Sequence, residues 1–185
     1  MLQIPFGFSV HQVVAIEVPG PDSRVRNIVL EHPLFSPQGA GRIYVDDGPE
    51  RPFASDAGKF AFLCVAAATY IRDLELPPRI VHLHDWHAAL YCLLRAYDPS
   101  FASLREIRTV YTIHNLAFQG IRPLSGDTSS LVNWFPDLEY DSIAVADPRY
   151  SDCVNPMAVG IRLADKVNTV SPTYAREILL PSDPT

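Results

Sequence analysis

Lysine is almost missing from this chain. Lys59 and Lys166 stand against thirteen arginines, and 21 acidic residues bring the formal net charge of the 185-residue sequence to −6. No run of basic residues occurs, which argues against nucleic acid or an anionic membrane as a partner. Long apolar runs are missing too, and no window approaches the length of a membrane-spanning helix. The opening, MLQIPFGFSV, has neither a positively charged start nor a long apolar stretch, so it does not read as a secretory signal. Cysteine is scarce and odd in number. Cys64, Cys92 and Cys153 lie far apart, which speaks against a disulfide framework and for reduced, packed thiols in a cytoplasmic protein. Internal repeats and low-complexity tracts are absent, and the 17 prolines are scattered. What remains is ordinary for a globular chain: 48% hydrophobic and 19% charged residues, enough for one domain with a sizeable core.

The first fifty residues read as short strands and loops. HQVVAIEV and RNIVLE are β-branched runs closed by Pro-Gly and His-Pro, and GRIYVDDGPERP reads as a strand and turn. At SDAGKFAFL the period changes. Phe60, Leu63, Ala67, Tyr70, Ile71 and Leu74 recur at helical spacing, with Ser55 or Asp56 as N-cap and Pro77-Pro78 as the stop. A strand over 80–83, a helix over 88–97 with Leu90, Leu93 and Leu94 inward, and a second strand ending at Ile113 make one βαβ unit. Asn155 as N-cap with Pro156 behind it opens a helix that runs to Ala164. Lys166 to Val170 is a strand, and Ser171 with Pro172 opens another helix. The expected fold class is α/β: a Rossmann-like three-layer domain with a mainly parallel sheet. Three strands end in polar clusters, HDWH, HN and SPTY. Ligands of open parallel sheets bind beyond the carboxyl ends of the strands, so these clusters should line one edge with helix N-termini behind them.

HLHDWH holds half of the six histidines. His82 and His84 share a strand face, and His87 falls in the first turn of the helix. His-x-His with a third His can hold zinc, as a metal-dependent hydrolase would use it. The strong zinc patterns are not matched, so no metal and no cofactor is expected. His82 reads as a core histidine bonded to backbone. Asp85 is either the N-cap of the following helix or a group that orients a histidine. Trp86 reads as packing. His87 is the sharpest candidate, because a helix N-terminus favours a neutral imidazole able to bond a hydroxyl. In TIHNLAFQG, Asn115 and Gln119 offer donors and acceptors that suit sugar hydroxyls, and the same residues suit ordinary loop capping; chemistry alone does not rank the two.

VHLHDWHAAL, YTIHNLAFQG and LADKVNTVSPTYAREIL, in this order, resemble three successive signatures of bacterial glycogen synthases and plant starch synthases. These are the ADP-glucose-dependent retaining glycosyltransferases. RIYVDDGPERPFASDAGKFAFL resembles the family's segment upstream of the first signature, where an aromatic-rich loop leads into a helix carrying Arg/Lys-Phe. The resemblance covers residues 30 to 181. It implies the GT-B arrangement of two Rossmann-like domains across a cleft, with residues 1–185 forming most of the N-terminal, acceptor-side domain. It also implies transfer of glucose from ADP-glucose to the non-reducing end of an α-1,4-glucan, in glycogen or starch biosynthesis. The expected compartment is the cytoplasm, or the plastid in a plant. By resemblance, His87 falls near the donor glucose, His114 and Asn115 line the cleft, and Ser171, Thr173 and Tyr174 belong to a more structural signature. The family's opening Lys-x-Gly-Gly loop has no counterpart, and the C-terminal domain with the nucleotide pocket does not follow. The expectation is a fragment inactive alone, whose partners in the complete enzyme are ADP-glucose and glucan. A glucan-binding remnant is the alternative, and the hydrolase a more distant one.

Overall fold

A computed structural model describes residues 1–22, 24–39 and 41–180. Positions 181–185, the end of the expected domain, lie outside the described residues. Strands β1 (Leu2–Phe6), β2 (Ser9–Val18) and β3 (Asn27–Glu31) form an antiparallel sheet of their own. Gly7, with φ +59°, makes the tight turn between the first two. Alternation along these strands buries Ile4 and Val13 on one face.

The stretch expected to form a strand around Tyr44 does not. Residues 41–53 are irregular chain with scattered turns and bends. The main-chain groups a strand would pair there are taken by side chains: Val45 N donates to Asp56, and Lys59 Nζ donates to Ile43 O. Helix α1 (Ala54–Arg72) starts one residue earlier than its expected caps. Phe53 holds the N-cap position in left-handed conformation without a side-chain bond. Ser55 is already helical, and its N–H and hydroxyl both donate to Asp47, at 2.7 Å each. Its buried residues also differ from the expected stripe. Ala61, Phe62, Val65 and Ala68 are buried while Phe60, Leu63 and Tyr70 are half-covered, because α1 is enclosed between a second helix and β1.

β4 (Ile80–His84) runs without a loop into α2 (Asp85–Tyr97). After a 3₁₀ segment over 99–106, β5 (Arg108–Ile113) returns beside β4. The short pair β6 (Arg122–Pro123) and β7 (Cys153–Val154), with α3 (Leu131–Trp134) and α4 (Ser142–Val145), occupies the connection. Next come α5 (Pro156–Leu163), β8 (Lys166–Thr169) and α6 (Pro172–Glu177). The central sheet is parallel, in the order β4-β5-β8. The caps of α5 and α6 are those expected: Asn155 Oδ1 accepts from Ala158 N at 2.9 Å, and Ser171 Oγ accepts from Tyr174 N at 3.0 Å. Each has proline at N1, where the absent N–H costs nothing.

α2 and α5 pack together on the inner face of the parallel sheet. Leu90, Leu93 and Leu94 are buried there, as their spacing predicted. Tyr111 of β5 lies flat against Gly160, where a Cβ would come within 2.5 Å of the ring. Cys64 and Cys92 are buried, and burial pushes both thiols up to about 12. No helix among the described residues is long and apolar enough to cross a membrane.

Asp165 fastens the amino ends of the sheet. Its carboxylate accepts from Thr109 N at 2.8 Å and Thr109 Oγ1 at 3.0 Å, and pairs with Arg95 at 3.1 Å and Arg108 at 3.0 Å. The Thr109 N–H above all, with the two guanidiniums, holds its pKa at about 2. Asp165→Ala should therefore destabilise the chain by about 3 kcal/mol, since it leaves a buried N–H without a partner and the largely buried Arg95 guanidinium, still bonded to backbone carbonyls, without its counter-ion. A lowered carboxylate stabilises the fold above its unfolded pKa of 3.8 and loses that stabilisation as pH falls toward about 2. Urea unfolding at neutral pH and at about pH 3 checks both statements: the gap between wild type and Asp165→Ala should narrow at the lower pH.

Candidate functional site

Along β4 the side chains alternate. Val81 and Leu83 point to the helices and are buried; His82 and His84 point to the other face and are exposed. The core role expected for His82 is thereby overturned, because its parity on the strand sends it away from α2. Among the described residues it bonds no backbone group. Its Nε2 lies 2.6 Å from Thr112 Oγ1, which donates in turn to Asn168 Oδ1 at 2.5 Å.

The junction of β4 and α2 is sharp. His84 stands at the N-cap position without a side-chain bond, and Asp85, the first helical residue, has φ +54°. Non-glycine residues in this region carry a cost of order 1–3 kcal/mol unless the surroundings impose it. Here the Asp85 carboxylate reaches across to the end of β5, accepting from His114 N at 2.8 Å and Asn115 N at 3.2 Å. Asp85 is therefore not the N-cap of α2. It orients the main chain of His114, and among the described residues it makes no bond to a histidine ring.

This turn delivers Trp86 and His87. Trp86 is buried, and its ring rests on Gly120, where a Cβ would come within 2.2 Å. His87 stacks on Trp86 at 4.4 Å between ring centres and meets the edge of Phe60 at the same distance. Its Nε2 lies 3.2 Å from the Tyr44 hydroxyl. Burial, rather than the helix terminus, is the main cause that lowers the His87 pKa; Asp85 and Asp56 oppose it. Tyr44 owes its position to a buried ion pair. Asp56 and Lys59, 2.7 Å apart and both shut off from solvent, hold Val45 N and Ile43 O on either side of it.

Tyr44, Phe53, Asp85, Trp86, His87, Asn115 and Phe118 enclose a cavity of about 360 Å³ at the carboxyl edge of the parallel sheet. Four aromatic rings form its walls. Asn115 Oδ1 is used by Ala117 N at 2.9 Å, which leaves the amide NH₂ to donate. His114 does not line this cavity; it stands beside it, exposed, with Nε2 3.0 Å from His84 Nδ1. Ser171 caps α6, and the Tyr174 hydroxyl accepts from Leu116 N at 2.8 Å, tying the third polar cluster to the same edge. Gln119 is turned inward, to Asn155 and Leu116 O. Tyr44, Phe53 and Phe118 were missed from the pattern, although a pair of charges inside an apolar helix, Asp56 and Lys59, signalled that something before α1 is anchored there. Among the described residues no three of His, Cys, Asp and Glu converge as metal ligands. A hollow of about 300 Å³ on another side of α1 contains Arg51 and Lys59, already engaged by Asp127 and Asp56.

A parallel sheet with aromatic and amide groups at its carboxyl edge has counterparts. Residues 3–183 match the family described as the starch synthase catalytic domain. The chain belongs to this family. The match begins earlier than the 30 to 181 span read from the motifs. The chain is 42% identical over 142 residues to the glycogen synthase of Bordetella parapertussis, covering 76% of this chain and 26% of that protein. It is 32% identical over 181 residues to the glycogen synthase of Francisella tularensis subsp. holarctica, covering 96% of this chain and 35% of that protein. Among solved structures, the catalytic domain of starch synthase IV from Arabidopsis thaliana, bound to ADP and acarbose, superposes with a TM-score of 0.72 at 24% identity, covering 96% of this chain and 34% of that one. The Rossmann-like half of a GT-B architecture is thus its fold. The chain spans about a quarter to a third of the length of these relatives.

Two expectations follow from the packing. Gly120→Ala should destabilise the chain by about 2 kcal/mol or more, because its Cβ overlaps the indole and its backbone, at φ +70°, resists a side chain. Urea unfolding followed by tryptophan fluorescence reads both the loss of stability and the displaced Trp86. The second concerns pH. Burial lowers the pKa of His84, as do His82 and His114, and burial lowers that of His87. Each group takes up its proton more readily in the unfolded chain, so stability is complete above about pH 6.5 and falls as pH drops below it. Thermal melts from neutral to mildly acidic pH should show this slope, and it should flatten in the His84→Ala, His87→Ala double variant.

Proposed function

We propose that this chain is the acceptor-side part of a glucosyltransferase of glycogen or starch synthesis. The complete enzyme moves glucose from ADP-glucose to the 4-hydroxyl at the non-reducing end of an α-1,4-glucan, with retention of configuration, in the cytoplasm. The observation that carries this reading is the aromatic-walled cavity holding His87 and Asn115 at the carboxyl edge of the sheet. Pyranose rings lay their C–H faces on aromatic rings, and a few fixed polar groups orient the hydroxyls. His87 and the Asn115 amide supply such groups. Family membership and the glycogen synthase relatives support the same substrate class.

Transfer needs more than this cavity. The diphosphate leaving group requires cations or helix dipoles around it, and none of the seven lining residues is Lys or Arg. The chain by itself therefore binds glucan without transferring glucose. Titration of the purified chain with a maltooligosaccharide should quench tryptophan fluorescence with a millimolar Kd, worth roughly 4 kcal/mol. His87→Ala should weaken this binding. Incubation with labelled ADP-glucose and glycogen should leave the glycogen unlabelled. In a complete enzyme carrying this segment, His87→Ala should lower turnover by about 10²-fold. Absence of any oligosaccharide binding would reject the glucan reading, and labelled glycogen would show that the chain alone suffices for transfer.

A further inference from the structure

Trp134 closes α3 and is 2% exposed. Its main chain is fixed at both ends: the carbonyl accepts from Gly7 N at 2.8 Å, and the N–H donates to Ser130 O at 3.0 Å. The indole N–H is different. Among the described residues, the fully enclosed side-chain atoms without a partner are Thr69 Oγ1 and the Tyr91 hydroxyl. Trp134 Nε1 is not one of them and meets no acceptor there, so it opens onto the hollow of about 300 Å³ beside α1, which Trp134 lines. Gly58 lies over it. Glycine inside a helix weakens it relative to alanine, and packing does not demand it here. A Cβ at Gly58 would meet one atom, Trp134 Nε1, at 3.5 Å, an ordinary contact. What the glycine achieves is an uncovered N–H. Further donors line the same hollow. Arg51 spends Nε and Nη2 on Asp127 and Thr128, and Nη1 has no partner among the described residues. Thr128 Oγ1 accepts from Arg51, which leaves its own hydrogen to donate. The charged residues of the lining are Arg51 and Lys59; their partners Asp127 and Asp56 do not line it.

We propose that this hollow is a second binding site, for a small apolar carboxylate. A carboxylate oxygen accepts from Trp134 Nε1, with Arg51 and Thr128 as further donors, and the apolar body lies on Phe6, Leu34 and Pro37. A hollow of this volume is at the lower end for small-molecule sites, so the ligand is small. The lining offers donors and positive charge, and bonds to a charged acceptor are about twice as strong as neutral ones, which selects a carboxylate over an uncharged carbonyl. The site is separate from the cavity of His87 and does not depend on the function proposed above.

The probe is hydrocinnamate, and its neutral amide, hydrocinnamamide, is the control. The chain holds two tryptophans, so the ¹⁵N-labelled protein gives two indole N–H signals, and either Trp134→Phe or Trp86→Phe assigns both. Hydrocinnamate should move the Trp134 signal downfield and saturate with a millimolar Kd, as suits a ligand of this size. Gly58→Ala should melt no earlier than wild type, since alanine strengthens the helix and makes only an ordinary contact. It should nevertheless weaken hydrocinnamate binding roughly tenfold, because the methyl group covers the N–H. Arg51→Gln, at a half-exposed position, should weaken hydrocinnamate binding roughly tenfold and leave binding of the amide unchanged. A Trp134 signal that stays in place up to the solubility limit of the probe overturns the proposal, as does a Gly58→Ala variant that binds like wild type. Earlier melting of Gly58→Ala would show that the glycine serves packing, and overturns it too. Equal binding of hydrocinnamate and its amide rejects the carboxylate as the ligand class.

Discussion

One carboxylate holds the site together. Asp85 stands where β4 becomes α2, in a left-handed conformation that an L-residue adopts only under constraint. Its two bonds to successive main-chain N–H groups of the β5 end supply that constraint. Charge-assisted bonds of this kind are about twice as strong as neutral ones, so two of them offset a backbone cost of a few kcal/mol. The consequence is geometric. Because the chain turns within one residue, Trp86 and His87 enter the helix at once and face the cavity, while His84 stays on the open face of the sheet. The same two bonds bring His114 and Asn115 alongside.

A second constraint acts from α1. Asp56 and Lys59 are charges buried in an apolar helix, a costly arrangement unless each finds its partners. They find each other and the backbone of residues 43 and 45. A loop that would otherwise cross the surface freely is pinned at both sides of Tyr44, and the Tyr44 ring comes within 5.9 Å of His87. The lysine most easily imagined as a phosphate ligand is thus spent inside the protein. This is consistent with a cavity whose chemistry is aromatic stacking and neutral hydrogen bonding, not anion capture.

Local rules were reliable wherever both the cap and the periodicity lay within a few residues. Asn155-Pro156 and Ser171-Pro172 open helices because the side-chain oxygen and the fixed proline φ act on the next turn alone. The polar clusters at strand ends were legible for a similar reason: a strand that stops and a helix that starts leave few places for polar residues except the edge between them. The failures share a cause as well. GRIYV has the composition of a strand and lacks a neighbour, since Asp56 and Lys59 occupy its main-chain groups. Ser55 and Asp56 are good caps that were already committed, to Asp47 and to Lys59. A core place for His82 fails although alternation alone puts it with His84; which of the two faces carries helices is not written in a strand of five residues.

From the amino acids alone came the class of fold, the order of strand, cluster and helix, the family resemblance, and His87, Asn115 and Asp85 as residues of one edge. Each is determined by neighbours in sequence or by motifs that keep their spacing. Tertiary structure alone decided which atoms those residues use. It turned Asp85 from a cap into a bridge, because its partners lie 29 and 30 residues away. It added Tyr44, Phe53 and Phe118 to the cavity, and set His114 against His84 outside it. Contacts of this kind depend on the parallel register of β4 and β5 and on the packing of α1 against α2, and these are fixed only when the whole core closes.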